Sequence, residues 1–271
     1  MFSTYFPPEY SGAAKQAISL AKGLRDRGHH IEFATVRWSE LPAFDSYDDF
    51  LVHRLEQGKG LKHREFLLWW NLFKFVWKRR KKYHILHSHG AYYTNCFIGF
   101  VGRFTGCSSV VKASLTDNDL HGIGAGFWGR LHKLMLGQVN LCIAISRDLE
   151  KEFSAAGVPS NKICYLPNGV DTKRFRPPIP LEKKRLRSDL GLPPEKLLFL
   201  TVGVFDERKN IGWLLNSWVE NQGFGSDGYL LAVGPQARTD PYGGFLESLK
   251  HFAKKNAHWI GIYDYFEDIE W

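Results

Sequence analysis

The sequence has few cysteines, no zinc-ligand spacing and no long hydrophobic run. It contains four cysteines in 271 residues, and no two of them form a C-x-x-C pair. This argues against a disulfide framework and a zinc site, so we expect reduced core cysteines. No apolar stretch approaches the roughly 20 residues that a transmembrane helix needs. The first residues lack the basic start and apolar centre of a secretory signal, and we therefore expect a cytoplasmic protein.

Low-complexity sequence is also lacking, and the positive charge is unevenly distributed. Hydrophobic residues make up 44% of the chain, which predicts a buried core rather than disorder. The net charge is +8, and residues 62–83 contain eight lysines and arginines against one acid, Glu65. A local excess of this kind indicates one anionic surface partner rather than a protein generally coated by polyanions.

Short β-branched runs alternate with longer helical patterns, which is typical of βαβ units around a parallel sheet. The pattern predicts strands over residues 31–36, 84–88, 109–113, 140–145 and 162–166, and helices over 13–27, 92–105, 127–137 and 147–156. Ser146 is expected to cap the last of these helices, with Asp148 in its first turn.

A second series follows the four prolines that lie within residues 167–180. It predicts strands over 197–202, over 229–233 and near 259, and helices over 211–219 and 245–256. We expect a linker over residues 176–186 that separates a domain of residues 1–176 from one of residues 177–271. The shared layout predicts an α/β fold of two Rossmann-like parallel-sheet domains facing a cleft, with ligands at the carboxyl ends of the strands.

Two turns between a strand and a helix carry residue types that suit phosphate binding. In YFPPEYSGAA, Gly12 leaves room for a ligand at the backbone, and the following helix N-terminus offers N–H groups. In VGVFDERKNI, Arg208 and Lys209 precede a predicted helix. The forked guanidinium of Arg208 and the ammonium of Lys209 can together hold a diphosphate there. On residue types alone, an ordinary turn is the favoured interpretation of the first motif. A solvated charge pair is the alternative for the second.

Together with IAISRDLEKEFSAAGVPSNKICYLPNGVDTKRFRP, these motifs resemble the family 4 glycosyltransferases of the GT-B fold, and the resemblance covers essentially the whole chain. It implies retaining transfer of a sugar from a nucleotide-sugar donor to a glycan or lipid-linked acceptor, without a metal or another cofactor. The pathway would be cell-envelope polysaccharide or glycolipid biosynthesis. The domain of residues 1–176 would be the acceptor side, and the domain of residues 177–271 the donor side.

The resemblance also assigns site residues. By position, Lys209 matches the family's diphosphate-binding lysine and Gly12 the second glycine of its phosphate loop, with Arg208 as a further donor-phosphate group. His89 is the candidate catalytic group on the acceptor side, and a half-buried strand-end histidine is the equally weighted alternative. Ser114 stands about where many members carry an active-site histidine.

Other departures put catalysis by this chain in doubt. Val204 replaces an arginine that commonly follows the strand glycine, and the family's paired donor-site glutamates have no counterpart in residues 177–271. We therefore expect an incomplete second domain and a poor catalyst. The alternatives are a non-catalytic glycan- or lipid-binding protein and an inactive fragment with this fold. A dinucleotide-binding oxidoreductase ranks last, because the first loop lacks G-x-G-x-x-G and no acid ends the strand at Val36.

The basic segment is also rich in aromatic residues. Residues 66–77 are apolar except for Asn71 and Lys74, and the run KRRKK follows directly. One interpretation is an amphipathic helix through which residues 62–82 contact an anionic membrane peripherally, at its inner face. The alternative is a core helix whose C-terminal cations face solvent. Nucleic acid is not an expected partner, because no recognised binding module accompanies the patch.

Overall fold

The structure is a computed structural model that describes residues 1–9, 11–38, 40–58, 64–205, 209–225, 227–234, 244–258 and 260–263. Arg208 and residues 62–63 of the basic segment lie outside the described residues. The chain divides into two compact units, Met1–Val170 and Asp171–Trp271. We call them unit 1 and unit 2. The division predicted from the sequence was placed after residue 176.

Unit 1 alternates strands and helices along most of its length. Its strands are β1 (Phe2–Ser3), β2 (Glu32–Val36), β3 (Phe44–Tyr47), β4 (Phe50–Leu55), β5 (Ile85–His89), β6 (Ser108–Ala113), β7 (Leu141–Ala144) and β8 (Ile163–Tyr165). Its helices are α1 (Gly12–Arg25), α2 (Arg64–Arg79), α3 (Tyr93–Cys96), α4 (Ile98–Thr105), α5 (Gly126–Gly137) and α6 (Arg147–Ala155). The predicted βα alternation is confirmed, but the single helix predicted over residues 92–105 is two helices that break at Phe97.

The strands of unit 1 form one sheet in the order β3-β4-β2-β1-β5-β6-β7-β8. All neighbours are parallel except β3, which pairs antiparallel with β4. The turn between these two strands holds Asp48 and Asp49 at φ values of 53° and 63°. Positive φ at both central residues is what a two-residue hairpin turn of type I′ requires. The sequence analysis missed this hairpin because its turn lacks a glycine.

Helices cover both faces of this sheet. Side chains alternate along each strand, so Phe33 and Ala34 of β2 point to opposite faces. Phe33 packs with Ala17 and Ile18 of α1. Ala34 belongs to the larger core that α2, α4 and α5 build on the other face. The predicted cap of α6 is confirmed, because the Ser146 side chain accepts a hydrogen bond from the Leu149 amide at 3.3 Å.

Unit 2 contains α7 (Pro180–Asp189), β9 (Leu197–Val202), α8 (Ile211–Glu220), α9 (Gln222–Gly225), β10 (Gly228–Val233), α10 (Phe245–Lys255) and β11 (Ile260–Tyr263). Its three strands are parallel in the order β11-β10-β9, and α8 and α10 share one core with β10. The linker predicted over residues 176–186 missed α7. This helix begins with Pro180 at its first position, and the Glu182 carboxylate accepts a hydrogen bond from the Ile179 amide.

The cysteines are free thiols. Three of them, Cys96, Cys107 and Cys142, are buried, and Cys164 is half-buried. In the part of the chain that the structure describes, no helix has the length and apolar character needed to cross a bilayer.

Candidate functional site

The N-terminus of α1 is open at the edge where β1 ends. The Ser11 hydroxyl caps the helix and accepts a hydrogen bond from the Ala14 amide at 3.2 Å. Among the described residues, no acceptor takes the N–H groups of Gly12 and Ala13. A methyl group placed on Gly12 would meet no atom within 4 Å. The predicted phosphate-loop glycine therefore borders open space, with two amides beside it that can donate to an anion.

His89, the last residue of β5, is only 4% exposed. His87 points to the same face, and the two ring centroids lie 4.4 Å apart. The Nε2 atoms of both rings are buried and have no hydrogen-bond partner in the described part of the chain. Burial, followed by repulsion from His87 and Lys112, lowers the pKa of His89 to about 2. A neutral imidazole this weakly basic suits a hydrogen bond to substrate better than proton abstraction.

Two residues beside His89 were not singled out by the sequence analysis. Lys112 of β6 is the register partner of His89 and is half-buried, and burial lowers its pKa. The buried Asp119 carboxylate accepts hydrogen bonds from the amides of Ser114 and Leu115 at 2.7 and 3.2 Å, which fixes the loop after β6. Burial raises the pKa of Asp119 although these hydrogen bonds act against it. A lysine inside a buried strand is a sequence signal that could have found Lys112.

The motif of unit 2 lies at the carboxyl edge of its sheet. Lys209 is exposed, and its Cε lies 3.8 Å from the point where a Cβ on Gly203 would stand. Gly234 approaches Gly203 so closely that a methyl group on it would overlap the Gly203 carbonyl oxygen. Asn210 precedes α8 with a φ of 51°, and its side chain accepts no capping hydrogen bond. The structure thus places Lys209 beside a strand end and a helix start, while Arg208 lies outside the described residues.

Helix α2 packs on the sheet with one face and exposes aromatic side chains on another. Leu68 is buried, and Leu72 and Val76 belong to the larger core of unit 1. Phe66 and Trp70 are 52% and 56% exposed. The core-helix interpretation is therefore confirmed for one face, and the membrane interpretation of the other face stays a prediction.

The exposed aromatic surface extends beyond α2. We define the aromatic patch as Phe66, Trp70, Trp77, Phe127 and Trp128, all of which are exposed. Phe127 and Trp128 lie in the first turn of α5, and the Trp128 ring centroid is 6.1 Å from that of Phe66. Trp77 joins the patch through Phe73, whose ring centroid is 5.6 Å from that of Trp77 and 6.2 Å from that of Trp70. The sequence analysis missed the contribution of α5.

The buried Glu32 carboxylate holds the end of the basic segment. It accepts hydrogen bonds from Lys82, Tyr83, His30 and His53. Burial by itself would raise the pKa of Glu32, but these hydrogen bonds outweigh it and hold the pKa well below its usual range. The charge of Lys82 is therefore compensated within the fold, so this lysine contributes less to a surface patch than the sequence suggested.

One other cation of the run contacts the aromatic patch directly. The Arg80 guanidinium lies 4.4 Å from the centroid of the Trp77 ring, a cation–π contact. Lys78 and Lys81 are exposed, and neither forms an ion pair with any described residue. Lys74 lies over Trp70, with its Nζ 5.6 Å from the ring centroid. Positive charge therefore lines one end of the aromatic patch.

Solved structures with this fold are GT-B glycosyltransferases. HepE from Anabaena in complex with UDP has a TM-score of 0.69 at 14% identity, covering 99% of this chain and 69% of that one. WaaG, a glycosyltransferase involved in lipopolysaccharide biosynthesis, has a TM-score of 0.68 at 14% identity, covering 99% and 70%. At this identity the likeness shows the fold, an α/β architecture of the GT-B class, as the sequence predicted.

The family follows from the sequence match. Residues 10–174, more than half of the chain, match the family described as Glycosyltransferase Family 4, and the chain belongs to that family. A relative, the alpha-galactosylglucosyldiacylglycerol synthase of Streptococcus pneumoniae (strain ATCC BAA-255 / R6), is 36% identical over 61 residues, which is 22% of this chain. The matched part spans 16% of that relative's length. The resemblance stated from the motifs is confirmed.

Proposed function

We propose that the protein transfers a sugar from a nucleoside-diphosphate sugar to a glycan or lipid-linked acceptor, with retention, in cell-envelope polysaccharide or glycolipid biosynthesis. The observation that carries the proposal is the match of residues 10–174 to Glycosyltransferase Family 4. The solved relatives support a nucleotide-sugar donor, since HepE is described in complexes with UDP and with UDP-glucose. The name of the streptococcal relative supports a glycolipid acceptor.

In this proposal the diphosphate of the donor contacts Gly12, Arg208 and Lys209, with residues 177–271 as the donor-side domain. Departure of the nucleoside diphosphate places negative charge on its phosphate oxygens. A lysine ammonium and backbone N–H groups can stabilise that charge. The unclaimed amides at the start of α1 and the exposed Lys209 beside Gly203 support this assignment.

The acceptor is assigned to residues 1–176, with His89 as the group that touches it. Because His89 is neutral, its role in this proposal is a hydrogen bond that orients the acceptor. An ordered hydroxyl near the donor lowers the entropic cost of the transfer step. The buried and unpartnered Nε2 atom of His89 supports this role.

The aromatic patch gives the protein a peripheral contact with the inner face of an anionic membrane. Exposed aromatic side chains insert at the boundary between headgroups and acyl chains, and nearby cations attract anionic lipids. Lys78, Arg80 and Lys81 supply that charge. A protein held in this way meets a lipid-linked acceptor at the surface where the acceptor resides.

Nucleotide binding tests the proposal. We would titrate UDP, GDP and ADP into the full chain and into Lys209→Ala by calorimetry, with Lys254→Ala as the matched control, since Lys254 is an exposed lysine on α10. Loss of a charge-assisted phosphate contact should weaken the preferred nucleotide about tenfold or more, and the control should bind like the wild type. A chain that binds none of the three contradicts the proposed donor class. Equal affinity in Lys209→Ala removes the role of that lysine.

Retention is tested on the product. The anomeric configuration of the transferred sugar, read by proton NMR against that of the donor, should be unchanged. An inverted product would contradict the retaining part of the proposal and leave the donor class intact.

A further inference from the structure

A row of basic side chains crosses two strands of unit 1 at the carboxyl edge. In the parallel register, Ser3 of β1 is opposite His89 of β5, and His89 is opposite Lys112 of β6. Register partners in a parallel sheet point to the same face. His87, two residues before His89, shares that face, and its ring centroid lies 4.4 Å from that of His89 with the two rings tilted by 31°. Two histidines and a lysine therefore lie side by side on one face.

These groups are buried without the partners that burial normally requires. The Nε2 atoms of His87 and His89 have no hydrogen-bond partner within the described ranges. Lys112 is half-buried, and no carboxylate in the described part of the chain forms an ion pair with it or shifts its pKa. A buried polar group without a partner costs free energy, and a partly buried ammonium costs more. The nearby Asp119 carboxylate is held by the amides of Ser114 and Leu115 and forms no ion pair with Lys112, so this row of side chains still offers N–H donors to a ligand.

Helix α1 adds donors near the same place. It follows β1 directly and packs against both β1 and β5. Its first turn has two N–H groups, those of Gly12 and Ala13, that no described acceptor takes, and open space lies in front of Gly12. The partial positive charge of a helix N-terminus and the ammonium of Lys112 both favour an anion. The unpartnered Nε2 of His89 is an independent observation that points to the same ligand chemistry.

We propose that Lys112, His89 and the first turn of α1 form a binding site for a phosphoryl group. The group is either a phosphate ester carried by the acceptor or part of the donor's diphosphate, and naming these two sources rests on the proposed function. Lys112 supplies the charge, and the His89 ring donates a hydrogen bond from Nε2 to a phosphoryl oxygen. No bond to the phosphorus atom is made or broken at this site.

Inorganic phosphate is the first probe. It would be titrated into the full chain while the histidine ring signals are followed by NMR, with three variants beside the wild type. Lys112→Met removes the charge, Lys112→Arg keeps it, and Lys151→Met removes an exposed lysine of the same unit as the control. Thermal unfolding of each variant shows that it is folded. We expect Lys112→Met to weaken phosphate binding about tenfold or more, and Lys112→Arg and the control to retain it.

A wild type that binds no phosphate would overturn the proposal, and so would equal binding in Lys112→Met and the wild type. A second titration, in saturating UDP, separates the two sources. If UDP displaces phosphate and Lys112→Met also weakens UDP, the site belongs to the donor. If phosphate still binds beside UDP, the site belongs to the acceptor. A chain that binds phosphate at Lys112 but no nucleotide keeps this inference and contradicts the proposed function.

Discussion

Removal of two rings from the aromatic patch should release the protein from anionic vesicles. Trp70 on α2 is 56% exposed and Phe127 on α5 is 70% exposed, so each has apolar surface that the fold leaves uncovered. An aromatic side chain buries about 150–250 Å² when it is fully covered, which leaves on the order of 100 Å² of each ring to insert. At about 25 cal/mol per Å², full insertion is worth roughly 2–3 kcal/mol per ring.

Partial insertion at the interface reduces this figure, and we take about 1.4 kcal/mol per ring, which is tenfold in the partition coefficient. The double variant Trp70→Ser/Phe127→Ser should therefore bind roughly a hundredfold more weakly. Co-sedimentation with vesicles of phosphatidylglycerol and phosphatidylcholine measures this, and vesicles of phosphatidylcholine alone report the share due to charge. The binding that depends on Lys78 and Lys81 should weaken as salt is raised, because exposed charges are screened.

The matched control is Trp213→Ser. Trp213 lies on α8 of unit 2, outside the aromatic patch, and is 69% exposed. Its removal should leave vesicle binding unchanged, and thermal unfolding should show every variant folded. Wild-type binding by the double variant would refute the assignment of the membrane contact to the aromatic patch. An equal loss in Trp213→Ser would show that exposed aromatic area in general, and not this surface, drives the binding.

Three further perturbations test the site and the fold. Gly12→Ala should leave the midpoint of thermal unfolding unchanged, because its methyl group meets no atom within 4 Å. The same variant should bind UDP more weakly in calorimetry. Unchanged affinity for UDP would contradict the phosphate-binding role of Gly12. Glu32→Gln should lower the free energy of unfolding at neutral pH by about 1–3 kcal/mol, since Lys82 and Tyr83 lose hydrogen bonds to a buried anionic acceptor. Because the folded-state pKa of Glu32 is depressed, the stabilisation that its carboxylate provides is present above the ordinary pKa of 4.5 and is lost as pH falls. Urea unfolding at several pH values measures this. A difference in free energy of unfolding between Glu32→Gln and the wild type that does not shrink in acid would refute it. Gly234→Ala should destabilise unit 2 by roughly 2 kcal/mol, because its methyl group overlaps the Gly203 carbonyl oxygen. Gly212→Ala is the control and should not destabilise the unit, since its methyl group meets no atom within 4 Å. Equal unfolding curves for the two variants would contradict the close approach of Gly234 to Gly203.

Part of the candidate site was predictable because it is local in sequence. Gly12 and Lys209 each stand between a strand and a helix, and hydrophobic periodicity locates such junctions without a structure. His89 was identified at a strand end for the same reason. The state of its ring was not predictable, since the pKa depends on burial and on Lys112, which is contributed by another strand. Asp119 was missed because its function is to accept hydrogen bonds from a loop, and no periodic pattern marks that.

The sequence by itself determined the βα alternation, the parallel pairing of the alternating strands in both sheets, the Ser146 cap and the helical state of α2. These features follow from propensity and periodicity within a few neighbouring residues. Tertiary structure alone decided that α5 extends the aromatic patch of α2, that Glu32 compensates the charge of Lys82, and that Lys112 lies beside His89. Each of these pairs is separated by tens of residues, so strand order and register bring its members together. Burial then fixes their charge state, because the free energy of an ionised group depends on what surrounds it in space.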